Sequence, residues 1–79
     1  MERSFNEVYW KLLEVLPESL KEKLEFKISF WAPEALWPNL TSFICDNVVL
    51  SSKNPLSVKI YSILYGCTEE EITARFKID

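Results

Sequence analysis

The chain has 79 residues, 48% hydrophobic and 14% aromatic, and carries twelve acids against nine bases for a net charge of −3. One domain over 1–79 is expected, with apolar residues enough for a core but only about 60% of the unfolded surface buried on folding. The acidic balance counts against phosphate as the main partner, and a single glycine, Gly66, rules out a glycine-rich phosphate cradle.

Ser4-Phe5-Asn6-Glu7 has the form of a capping box, in which a serine hydroxyl and a glutamate carboxylate satisfy each other's backbone amides. Phe5, Val8, Tyr9, Leu12, Leu13 and Leu16 then recur at helical spacing and predict a first amphipathic helix. Trp10 lies off that stripe among polar residues, where it either packs sideways on a neighbour or faces a partner. Pro17 ends this helix and suits the first turn of a second, with Leu20 and Leu24 inward. The alternating charges of Glu18, Lys21, Glu22, Lys23, Glu25 and Lys27 read as a solvated face.

From Glu25 to Trp31 the period changes. Phe26, Ile28 and Phe30 alternate with Glu25, Lys27 and Ser29, as in a half-buried strand, and an isolated strand needs a partner for its backbone. An extended segment at 25–31 and a continued helix therefore both fit. Between Pro33 and Pro38 one or two helical turns are expected, flanked by Trp31 and Trp37, which anchor the loop by packing on each other or form an exposed patch. Asn39 to Leu50 is read as a helix capped by Asn39, in preference to a hairpin turning at Asp46-Asn47, and 51–54 as a loop.

The most complete signals lie between Asn54 and Phe76. Asn54 is a cap and Pro55 a first helical residue. Leu56, Ile60, Ile63 and Leu64 form one stripe, with Val58, Tyr61 and Tyr65 beside it, so this helix is expected to be central. Gly66 falls where a left-handed C-cap is wanted, and Thr68-Glu69-Glu70-Glu71 is a second capping box. The last helix is expected to bury Ile72 and Phe76, with Arg75 and Lys77 near its negative end.

Small Ser62, the turn residue Gly66, apolar Cys67, Thr68 and inward Ile72 make this stretch similar to a helix-turn-helix motif. The resemblance implies a DNA-binding second helix that presents Thr68, Glu69, Glu70 and Thr73 to the major groove. Two carboxylates there would be repelled by phosphate, and Arg75 and Lys77 are too few to offset them.

Chemistry is narrowly bounded. Without histidine the commonest general base and Cys–His or Ser–His nucleophile pairs are missing, and Cys45 and Cys67 cannot alone make a tetrahedral Cys/His zinc site. Cys67 beside a helix start reads as a packing residue rather than a reactive thiol. No stretch approaches the roughly 20 apolar residues of a membrane span, and the N-terminus has no signal-peptide run, so a cytoplasmic protein with free thiols is expected. The fold class expected is mainly α: a compact bundle of four to five short helices with a C-terminal helix-turn-helix-like corner and one short extended segment at 25–31. The function expected is a small acidic protein-interaction or regulatory module, not an enzyme and without cofactor or metal. Trp10, Trp31, Trp37, Glu69, Glu70 and Thr73 are its partner-binding candidates. Its partner would be a protein, including a basic nucleic-acid-handling one, or a second copy. The alternative is a helix-turn-helix transcriptional regulator.

Overall fold

A computed structural model describes residues 4–76. Five α-helices follow in order: α1 (Phe5–Val15), α2 (Glu18–Ile28), α3 (Leu36–Asn47), α4 (Pro55–Tyr65) and α5 (Glu69–Phe76). A single 3-10 turn, Pro33–Ala35, leads into α3. No strand occurs among the described residues. Helices α1 and α5 pack against α4, while α2 packs on α3. The shortest dimension is 19 Å, which admits about two helix diameters and so two layers.

The core is built from the expected stripes. Leu12, Leu24, Leu40, Ile44, Ile60, Leu64 and Ile72 are essentially inaccessible, and Val8, Leu13, Leu16, Phe43, Val48, Val58 and Tyr61 complete the cluster. Helix α4 is central as expected, contributing Ser57, Val58, Ile60, Tyr61 and Leu64. Leu56 departs from its predicted stripe and stays partly exposed, as does Phe76 at the end of α5. Lys77 lies outside the described residues.

The segment at 25–31 is not extended. Helix α2 runs on to Ile28, and the chain then tightens, with the Phe30 amide donating to the Lys27 carbonyl (3.0 Å) and the Trp31 amide to Ile28 (3.2 Å). The reason is spacing: Leu20, Leu24 and Ile28 fall every four residues on one row, with Leu24 wholly buried and the others half-buried. A helix also satisfies its own amides, whereas no described strand is available to pair with this one.

Helix α3 begins at Leu36, three residues before the expected Asn39 cap, and ends at Asn47. Pro38 is tolerated because it is the third helical residue, where the amide has no intrahelical acceptor to lose. The hairpin turn at Asp46-Asn47 does not form; the Asn47 side chain instead donates to the Phe43 carbonyl (2.8 Å).

Two of the expected caps differ. Ser4 has the extended backbone of a cap, but its hydroxyl makes no capping bond; its carbonyl accepts from the Val8 amide (3.3 Å). Asn54 likewise caps α4 without its side chain, its carbonyl accepting from the Ser57 and Val58 amides. At the other end of α4, Gly66 is left-handed (φ 69°, ψ 39°), and the Gly66 and Cys67 amides both close on the Ser62 carbonyl at 2.8 and 3.1 Å. The Thr68–Glu71 box forms in both directions. The Thr68 amide donates to the Glu71 carboxylate (2.9 Å), and the Glu71 amide donates to the Thr68 hydroxyl (3.1 Å).

Candidate protein-interaction surface

Helix α1 carries an aromatic ladder. Trp10 is 62% exposed and meets Tyr9 edge-on at 5.6 Å. Tyr9 stacks on Phe5 at 6.2 Å, and Phe5 meets Trp37 of α3 at 5.2 Å with the rings nearly perpendicular. Partial burial, with the Glu25 carboxylate nearby, pushes the Tyr9 phenol above its ordinary pKa. Trp37 is thus drawn onto α1. Trp31 instead lines a recess of about 210 Å³ with Lys27 and with Asn39, Ser42, Asp46 and Asn47 of α3. Trp37 thus meets α1, while Trp31 borders α3. Both are half-buried against the core and expose less than Trp10.

Glu69, Glu70 and Thr73 are exposed on α5, and the Thr73 hydroxyl donates back to the Glu69 carbonyl (3.0 Å). These three sit on α5, whereas Trp10 is on α1, Trp37 on α3 and Trp31 in the turn after α2. The helix-turn-helix-like corner is present in shape, with an αL glycine and a capped second helix of eight residues. Its first turn is Glu69, Glu70 and Glu71. The amide and hydroxyl of Thr68 hold the Glu71 carboxyl below the ordinary glutamate range.

Among the large apolar side chains, those more exposed than Trp10 lie outside the predicted set. Phe26 is 68% exposed and Phe30 73%, their rings in edge contact at 5.2 Å. A sequence signal for them exists: in a helix whose inner row is Leu20, Leu24 and Ile28, residues two positions out of phase fall about 200° away, on the opposite side. Val49, 82% exposed, rims an apolar cleft of about 320 Å³ formed with Pro17, Leu20, Leu56 and Ile60.

A third cluster gathers at the far side of α4. The Tyr61 hydroxyl donates to the Val48 carbonyl (2.9 Å), and Tyr61, Tyr65 and Phe76 are in mutual ring contact at 5.6 to 6.4 Å. Burial, reinforced by the neighbouring Cys45 thiol, raises both phenols. Cys45 and Cys67 are free thiols. Among the described residues no group of three or more histidine, cysteine, aspartate or glutamate side chains comes together to hold a metal, and no helix is long and apolar enough to cross a membrane. No family model, no curated protein and no solved structure matches this chain.

Proposed function

We propose that this chain is a small protein-interaction or regulatory module with no catalytic activity of its own. The observation that carries the reading is the outward placement of Trp10, Phe26, Phe30 and Val49, each more than 60% exposed. A chain of this size gains stability by burying such rings, and Phe26 and Phe30, left exposed in contact with each other, have the character of a contact surface. Tryptophan and phenylalanine also supply much contact area for little conformational entropy.

The test is affinity capture from the source cells with the wild type, Trp10→Ala and the double variant Phe26→Ser/Phe30→Ser. All three positions are exposed, so the variants should keep the wild-type circular dichroism. A protein held by the wild type and lost by either variant supports the reading; an identical captured set from all three overturns it.

The left-handed corner at Gly66 favours a second reading, a helix-turn-helix regulator of transcription. The three glutamates that open α5 weigh against it. Binding of arbitrary duplex DNA at low salt, weakening steeply as salt is added, would support the regulator. No binding at low salt would remove it.

A further inference from the structure

We propose that the Phe26–Phe30 ridge of α2 is a self-association surface, on which α2 of one copy packs parallel to α2 of a second copy about a two-fold axis. This pairing rests on the interaction reading above and names its partner.

The ridge is defined by the helix itself. Leu24 is wholly buried and Leu20 packs against the core, so Phe26, two residues beyond Leu24 and about 200° round the helix, stands on the outer side of α2, continued by Phe30 in the turn that follows. Charges are sorted to either side of that line. Glu18, Glu22 and Glu25, spaced four and three residues apart, form an acidic flank. Lys23 and Lys27, spaced by four, form a basic flank, while half-buried Lys21 is set beyond the acids toward the core.

This sorting selects both the partner and the orientation. When two copies of one ridge pack in parallel about a two-fold axis, the acidic flank of each lies on the basic flank of the other. In that geometry a flanking residue meets the residue five further along the partner helix, as in a parallel coiled coil, which sets Glu22 opposite the partner's Lys27, and does so twice. Antiparallel packing of the same ridges would place acids on acids and bases on bases. Lys23, nearest the seam, has a stem long enough to carry its ammonium to the rim beside the partner's Glu22.

Area sets the strength. Two phenylalanines at these exposures offer roughly 200–350 Å² of apolar surface per copy, well below the about 800 Å² per partner of a stable interface. The dimer is therefore weak and concentration-dependent.

Sedimentation equilibrium of the purified full chain from micromolar to millimolar concentration tests this. The expected mass rises from 9.3 kDa toward twice that value, and Phe26→Ser/Phe30→Ser stays at the monomer mass throughout. Glu22→Lys weakens association about tenfold, the effect of turning two exposed attractive pairs into repulsive ones, and Glu22→Lys/Lys27→Glu restores it. A wild type that stays monomeric at every concentration overturns the proposal, as does a dimer indifferent to the phenylalanine variant. Failure of the double charge swap to restore association overturns it too, because only the parallel arrangement predicts rescue. A monomeric protein that still captures a cellular partner through Phe26 and Phe30 would separate failure here from failure of the interaction reading.

Discussion

Ser57 is wholly buried at the start of α4, and its hydroxyl organises the turn before that helix. It accepts from the Ser51 amide at 3.0 Å and lies 2.7 Å from the Asn54 carbonyl and 3.1 Å from that of Ser51, between which its one proton is shared. Substitution by alanine costs little volume but takes away the acceptor of the Ser51 amide, while the Asn54 carbonyl keeps the Ser57 and Val58 amides and the Ser51 carbonyl keeps the Asn54 amide. Ser57→Ala is expected to lower stability by about 0.5–1.5 kcal/mol, the net worth of an intramolecular hydrogen bond. Urea denaturation would show this as a lower midpoint at unchanged slope, and amide exchange at Ser51 would quicken. Gly66 is the second residue on which much depends. A side chain at φ 69° costs about 1–2 kcal/mol, partly offset because alanine restricts the unfolded chain by about 0.4–1 kcal/mol. Gly66→Ala should therefore lower the melting temperature by a few degrees, and Gly66→Asn, which tolerates the left-handed region, by less.

Helix α5 is short, and its start is held by the Thr68–Glu71 exchange and by Ile72 beneath it. Thr68→Ala is expected to cost roughly 0.5–2 kcal/mol. An independent readout is the Glu71 carboxyl, titrated by NMR. It ionises below the ordinary value in the wild type because the Thr68 amide and hydroxyl favour its charged form, and the shift should shrink in the variant. Such elements were legible in the sequence because every partner lies within four residues. Gly66, the second capping box and the core stripes of α1 and α4 all belong to this kind. Ser4 has the same lettering and an extended cap backbone but makes no side-chain capping bond, so lettering identified the cap and not its chemistry. Phe26 to Phe30 fits a strand period and a helix period equally; what decided it was Leu24, wholly buried in the core with Leu20 packed beside it, where α2 meets α3 across the fold. The position of Val48 to Leu50, and with it the cleft rimmed by Val49 and Leu56, depends on Tyr61 bonding the Val48 carbonyl thirteen residues away. No local pattern reports that.

All three tyrosines of the chain hold their protons more tightly than a free phenol, and in each burial is the leading cause. They sit at different joints. Tyr9 lies between α1 and the Glu25 carboxylate of α2; Tyr61 ties α4 to the segment after α3; Tyr65 adds Cys45 as a further unfavourable neighbour, with Arg75 acting in the opposite direction. In the unfolded chain these phenols ionise near 10.0. Above that pH the unfolded state releases protons that the folded state keeps, so the unfolded state is favoured progressively. The phenols contribute their full stability below pH 10 and lose it as the pH rises through their folded values; on the acid side they contribute no change. The melting temperature followed by circular dichroism should therefore be insensitive to tyrosine ionisation up to about pH 10 and fall beyond it. Tyr61→Phe should start lower at neutral pH, by about 1 kcal/mol for the lost bond to the Val48 carbonyl, and then decline less steeply in alkali. Near-ultraviolet phenolate absorbance supplies the check: Tyr61 should ionise only as the fold opens, and a phenolate titration centred at the free-phenol value in a still-folded protein would contradict this account. Burial of Tyr61 at the joint between α4 and the segment after α3 thus ties its ionisation to opening of that joint, and the alkaline decline should be steepest in the protein that keeps this phenol.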